Sequence, residues 1–307
     1  DLHRRRHSFP TRRSSDLDPV ANGPSTAPVA SPIASAPVNT GSSDFPIGMF
    51  EDANIVFGNA TTFTNMISNL KSKGFDSVMF VNNKSTRDEA LLSVSDAQNF
   101  NVYISATDDI SGYMADSTPT LDEAKAAINP AIDRYKTHSS VKGYNIVDEP
   151  QNPSQLQHTV NLVQAVKERD PGRIGSPVFI GLNRGDVIYN AAQPNAFFID
   201  AYPFTPESTS CDFTMRGFGY QNFSMSYYIR ELTKSKPAGQ PLYVILQSHK
   251  FGAPTDSYQL RAPSVAEMRG EYWVAIGEGA HGIFWFIYSS QQGWTGLKDS
   301  TTLMNEA

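Results

Sequence analysis

From Phe45 onward, short apolar, β-branched or aromatic runs alternate with longer segments whose apolar positions recur at helical spacing. The short runs fall at 46–50, 76–81, 102–107, 143–147, 177–182, 197–201, 242–246 and 282–288. Many are apolar at nearly every position, the pattern of parallel strands covered on both faces. Between them, Phe63, Met66, Ile67 and Leu70 stand at i, i+3, i+4 and i+7, one face of a helix that Gly74 closes. Leu156, Val160, Val163 and Val166 form a second stripe, ended by Asp170-Pro171-Gly172. Thr120 with Glu123, and Ser264 with Glu267, have capping-box spacing, each just after a Pro. Strands alternating with helices predict parallel crossovers. Eight such units in residues 45–307 predict an α/β fold, an eight-fold β/α (TIM) barrel, for which ~250 residues is typical. The rival is a doubly wound open sheet. That fold usually carries a Gly-rich phosphate loop after its first strand, where this chain has Glu51-Asp52-Ala53-Asn54. The last helix is expected to begin near Thr302 and to be cut short, as in a fragment.

Composition separates the first 44 residues from the rest. Residues 1–17 hold five Arg, two Asp and two His without apolar periodicity, and read as a non-native leader. The alternative is a basic arm for nucleic acid or anionic lipid. Residues 18–44 hold five Pro, five Ser and five Ala and no aromatic residue, the composition of a disordered linker. Such linkers often follow a signal peptide or lipid anchor, which points to a secreted or cell-envelope protein. The whole chain of 307 residues carries a net charge of −6; without the leader, 20 basic residues face 29 acidic ones. That balance speaks against a nucleic-acid partner. No apolar run approaches the ~18–20 residues of a membrane span.

In a β/α barrel the chemistry sits where strands end and βα loops begin. Those ends carry Glu51-Asp52, Asn82-Asn83, Asp108-Asp109, Asp148-Glu149, Asn183-Arg184, Asp200-Ala201-Tyr202 and Gln247-Ser248-His249, with Trp285, Tyr288 and Trp294 at and after the eighth strand. Carboxylates, amides and flat rings together suit a carbohydrate, whose hydroxyls need planar donors and acceptors and whose C–H faces stack on rings. Cleaving a glycosidic bond takes two carboxyl groups, one to protonate the leaving oxygen. The candidate catalytic residues are Glu149, Asp148 and Asp200. The candidate substrate-binding residues are Glu51, Asp109, Asn183, Tyr202, Gln247, Trp285, Tyr288 and Trp294. Trp285 could lie under the sugar or be ordinary core. The 205–223 stretch is expected to form a cleft wall, with Phe213, Phe218 and Tyr220 available for stacking.

The segment Gly143-Tyr-Asn-Ile-Val-Asp-Glu-Pro150 resembles the fourth strand of clan A glycoside hydrolases. Phe198-Ile-Asp-Ala-Tyr-Pro203, Val244-Ile-Leu-Gln-Ser248 and Gly279-Ala-His-Gly-Ile-Phe-Trp285 are similar to later strands of glycosidase-like barrels. The resemblance implies that Glu149 is the acid/base. It also exposes a departure, because those enzymes carry a nucleophilic Glu at the end of strand seven, where this chain has Gln247. Three routes remain. In substrate assistance, the acetamido oxygen of an N-acetylhexosamine attacks, Asp148 orients it, Tyr202 donates to it and Glu149 protonates the leaving group. Consecutive strand residues face opposite ways, so this requires the strand to break by Asp148. In inversion, Asp200 or Asp109 activates water across a gap of ~6.5–9.5 Å. The third route is a non-catalytic carbohydrate-binding or scaffold protein.

Other chemistries find little support. His249 and His281 are isolated and no His pair brackets a Glu, so no metal and no cofactor is expected. Gly-x-Ser-x-Gly is absent, and the single Cys211 has no evident His partner and admits no intrachain disulfide.

Overall fold

The computed structural model describes residues 45–56, 59–81, 91–106, 110–150, 155–180, 185–216, 222–234, 236–291 and 293–307. The expected leader and linker lie outside the described residues. Eight parallel strands close into a barrel: β1 (Ile47–Asp52), β2 (Ser77–Val81), β3 (Asn101–Ser105), β4 (Val141–Asp148), β5 (Ile174–Phe179), β6 (Phe197–Ala201), β7 (Leu242–Gln247) and β8 (Gly282–Phe286). Sequential neighbours pair in order, and β8 returns to β1 through Ile283↔Ile47 and Trp285↔Met49. The eight-fold barrel holds, and the open sheet does not. The final helix spans Thr301–Met304.

Strand alternation sorts side chains into two cores. Outward residues such as Met49, Phe80, Ile104, Phe197, Val244 and Trp285 pack beneath the helices. Inward residues such as Phe50, Tyr103, Phe198, Tyr243 and Phe284 fill the barrel. Their rings meet edge-on or tilted, with centroids 5.7 Å apart for Tyr103–Phe198, 5.4 Å for Tyr103–Phe284 and 4.7 Å for Phe198–Tyr243. Each such ring contributes roughly 1.5–3 kcal/mol by leaving water. Together they form a solid plug, which gives the mouth above it a floor. Gly48 is required here, because a Cβ on it would sit 2.2 Å from the Phe284 ring.

The helical readings hold with one shift. Phe63, Met66, Ile67 and Leu70 are the buried face of the helix Ala60–Ser72, and Gly74 leaves it at φ +93°. Both capping boxes are formed. In the helix Gln155–Arg169 the buried face runs through Thr159, Leu162, Val163 and Val166, so Leu156 and Val160 flank it. β5 begins three residues earlier than the apolar run suggests. Gly175 and Ser176 stand ahead of the apolar run, which starts at Pro177. Gly175 lets the Val166 side chain approach, and Pro177 falls where the β4–β5 register slips, between Asn145↔Ser176 and Asp148↔Val178. A short antiparallel ribbon, Lys250–Phe251 with Trp294–Thr295, was not legible in the pattern.

Candidate active site

The slip in β4 decides the chemistry of the mouth. Because the register shifts between Asn145 and Asp148, the strict inward–outward alternation ends before the two acids arrive. Glu149 then takes a left-handed backbone, φ 43°, while its N–H still donates to Val178 O at 3.0 Å. That conformation costs a non-glycine residue on the order of 1 kcal/mol and persists only where the surroundings enforce it. β4 stays paired through Asp148, so the strand ends at Glu149 and not by Asp148 as the joint role was expected to require; what precedes the acids is the register slip after Asn145. On β6 the alternation stays intact, so Asp200 and Tyr202 both face inward with Phe198.

These residues form one hydrogen-bonded cluster. Asp200 is buried, and its carboxyl is in hydrogen-bond contact with Glu149. Tyr202 donates its hydroxyl to Asp200 Oδ1 at 2.8 Å. Asp148 stays accessible to solvent beside them. Burial, followed by the Asp148 charge, lifts Glu149 to about 7, while its hydrogen bond from Asp200 acts the other way. Desolvation raises Asp148 to about 6. Asp200 is pushed well above the ordinary carboxylate range, by burial and then by the Glu149 charge and the hydrogen bond with Glu149. Tyr258 also belongs to this field, since after burial the charges of Glu149 and Asp200 are what push its hydroxyl up.

An aromatic wall stands beside the acids. His249 packs edge-on to Tyr202 at 5.1 Å and to Phe286 at 5.0 Å. Trp294 leans on Phe251, His249 and Phe286 at 4.0, 4.9 and 5.1 Å. The ribbon Lys250–Phe251 with Trp294–Thr295 carries two of these rings, and Trp294 is half-buried at its edge. His249 Nδ1 lies 2.6 Å from Phe286 O, which can only accept, so the ring is the Nδ1–H tautomer. Burial depresses its pKa to about 3, and it is neutral.

Four sequence-derived binding residues stand elsewhere. Gln247 faces inward but is wholly buried: Oε1 accepts from Phe204 N–H at 2.8 Å, and Nε2 donates to Phe204 O at 3.1 Å and Arg261 O at 2.8 Å. Its amide ties the loop after β6 to the segment after β7 and has no bond to Glu149. Trp285 points outward into the helix layer, not into the barrel. Glu51 likewise points outward, accepting from Asp52 N–H at 2.7 Å with Ser289 and Lys298 beside it, and burial holds it at about 7. Tyr288 accepts from Asn69 Nδ2 at 2.9 Å on the helix Ala60–Ser72. Phe213 is not free to stack, because its ring packs on Phe204 at 5.6 Å and against Gly270. Asp109, Asn183, Phe218 and Tyr220 lie outside the described residues.

The mouth thus gathers Asp148, Glu149, Asp200, Tyr202 and Trp294 from the candidate residues, takes in His249 from the strand-seven end, and adds Phe286 and Tyr258. In Gly282-Ile-Phe-Trp-Phe286 every side chain is apolar, so the run carries no phase to say which ring faces in. Tyr258 arrives on a segment that folds back through a Phe251–Leu260 bridge, a contact with no local signal. Among the described residues no group of three or more His, Cys, Asp or Glu could hold a metal ion, and no helix is long and apolar enough to cross a membrane.

No protein-family profile matches the sequence, and a search of curated proteins finds no match. Solved structures do match in fold. The β-galactosidase from the psychrophilic Marinomonas ef1 superposes with a TM-score of 0.62 at 10% identity, over 85% of this chain and 58% of that one. The β-galactosidase from the Antarctic haloarchaeon Halorubrum lacusprofundi gives 0.61 at 11%, over 85% and 56%. The β-glucuronidase from Ruminococcus gnavus gives 0.58 at 12%, over 83% and 45%. The chain spans about half the length of these proteins. Its fold is the eight-fold β/α (TIM) barrel, which these glycosidases share.

Proposed function

We propose that this barrel hydrolyses O-glycosidic bonds of a poly- or oligosaccharide, with Glu149 as general acid/base. The observation that carries the reading is the carboxyl trio Asp148, Glu149 and Asp200 at the C-terminal mouth, with a carboxylic acid at Glu149 that still holds its proton near neutrality. Glu149 and Asp200 in hydrogen-bond contact leave no ~6.5–9.5 Å gap for an activated water, which disfavours inversion through that pair. Substrate assistance fits better. The acetamido oxygen of a 2-acetamido sugar attacks the anomeric carbon as the glycosidic C–O bond breaks. Glu149 gives its proton to the leaving oxygen, and ionised Asp148 holds the acetamide N–H. Water then attacks the same carbon, Glu149 takes its proton, and the acetamide is restored. Tyr202 serves by fixing Asp200 rather than by donating to the acetamide, since its hydroxyl is engaged. The Trp294 and Phe286 rings supply a stacking wall.

A second reading is supported by Gln247. Its amide is consumed in joining two loops, so no nucleophile stands at the end of β7. On that reading the mouth binds glycan without cleaving it. Incubating the chain with 2-acetamido and 2-hydroxy oligosaccharides, alongside Glu149→Gln, separates the two. The proposal expects turnover of the acetamido set and a 10²–10⁴-fold loss in the variant. Binding without turnover establishes the second reading, and undiminished turnover in the variant removes Glu149. The linker composition of residues 18–44 supports a secreted or cell-envelope location.

A further inference from the structure

No residue of the segment after β7 enters the proposed reaction, yet that segment is built to place one more ring beside the acids. Phe251 and Leu260 exchange both backbone hydrogen bonds, at 3.0 and 2.9 Å, and so close a hairpin. Both arms are pinned: Leu260 is sunk in the inward core, Arg261 N–H donates to Phe204 O at 3.0 Å, and Gly252 N–H donates to Gly293 O at 3.1 Å. The tip satisfies itself, with Asp256 Oδ2 accepting from Ala253 N–H at 2.8 Å and Gln259 Nε2 donating to the carbonyls of Pro254 and Asp256. Gly252 lets the arms close, because it stands at φ +86° and a Cβ there would lie 2.8 Å from the Tyr258 carbonyl oxygen. Tyr258 is thereby held against Phe251, ring centroids 6.2 Å apart, and against the inward core that also contains Tyr202. Its hydroxyl lies in the field of Glu149 and Asp200, where burial and those charges keep its proton. The hydroxyl oxygen is shielded while the residue as a whole is only half-buried, so the side chain shows solvent carbon and not oxygen. A flat apolar ring bordering a cluster of acids suits the C–H face of a sugar.

We propose that Tyr258 is a glycan-contacting residue, its ring forming a wall of the site against which the sugar held at Glu149 packs its C–H face. The hydroxyl anchors the ring from within. The pinned hairpin fixes the ring before the sugar arrives, which lowers the ordering cost of binding. The proposal rests on the glycosidase reading for its substrate class, but contact with the sugar is measurable without turnover.

Calorimetric binding of chitotetraose to the full chain carrying Glu149→Gln tests it, with cellotetraose as the 2-hydroxy counterpart. Tyr258→Phe keeps the ring and is expected to leave the affinity within about threefold, whereas Tyr258→Leu is expected to weaken it about 10-fold. Gly252→Ala displaces the hairpin and should weaken binding too. Trp273→Leu, at a ring 65% exposed on the helix Val265–Gly277, should not. An affinity unchanged in Tyr258→Leu, whatever happens to Tm, overturns the proposal, as does a chain that binds neither tetrasaccharide. Should the leucine variant fail to fold, the Tyr258 ring resonances of the Glu149→Gln chain, assigned through Tyr258→Phe, decide. Their shift on adding chitotetraose upholds the contact, and a ring unmoved by a glycan that binds refutes it. Tyr258-dependent binding without turnover by the unaltered chain upholds the contact and fails the hydrolytic reading, whereas turnover with KM unchanged in Tyr258→Leu does the reverse.

Discussion

Glu149 has its proton set by burial and by two neighbours that act in opposite directions. Burial and the Asp148 charge raise it, and its hydrogen bond with Asp200 lowers it. As the trio titrates together, its steps belong to the cluster. The acid form of Glu149 is lost as pH rises through about 7, and ionised Asp148 is lost as pH falls through about 6. kcat/KM against pH should therefore be a narrow bell between those limbs, and Asp148→Asn should remove the acid limb; a profile flat from pH 5 to 8 would contradict the assignment. Gln247 offers a sharper residue-scale test. Restoring a carboxyl by Gln247→Glu replaces an amide donor with a group that faces the carbonyls of Phe204 and Arg261. Two buried carbonyls lose their donor, so urea denaturation should show a loss of about 3 kcal/mol. Activity should not rise. A stable variant with new activity would mean that the loops above Gln247 open.

Two capping boxes that look alike in the sequence differ in weight as elements. Glu123 closes an exposed box at the head of the helix Leu121–Tyr135. Glu267 closes a buried one at the head of Val265–Gly277, and also accepts from both terminal nitrogens of Arg261 at 2.6 and 2.9 Å and from Cys211 N–H at 3.0 Å. It thereby pins the segments on either side of Gln247. Glu267→Ala should cost about 2–4 kcal/mol, against about 0.5–1 kcal/mol for Glu123→Ala, by thermal or urea unfolding. Burial pushes Glu267 up, but these bonds, those from Arg261 foremost, outweigh it and hold Glu267 down at about 2. Its contribution is present above the unfolded carboxylate range and is lost as pH falls toward 2. Equal losses in the two variants would show that Glu267 does no more than cap.

For the whole molecule the linkage runs the other way. Asp148, Glu149 and Glu51 all titrate higher folded than unfolded, at about 6, 7 and 7, chiefly through burial. Between about pH 4 and 7 the native barrel binds more protons than the unfolded chain, so these groups weaken it as pH rises. Calorimetry should give a higher Tm at pH 5 than at pH 8, and Glu149→Gln should narrow the gap. The barrel carries this load because its aromatic plug and its helix layer make two separate cores. A rise in Tm from pH 5 to 8 would mean that the trio is ionised and solvated.

The amino-acid pattern by itself determined the eight-fold repeat, the helix faces and ends, both capping boxes, and the strand ends bearing Asp148, Glu149 and Asp200. These are local properties: periodicity, cap chemistry and the order of residues along a strand. Which way a side chain faces was decided by tertiary structure wherever a strand is buried on both sides. That is why Trp285 and Glu51 turned outward and Phe286 inward without any signal in their own segments. The fate of Gln247 and the arrival of Tyr258 were settled by loops that meet only when the barrel closes. Contacts between distant segments depend on the closed register, and no window of sequence contains it.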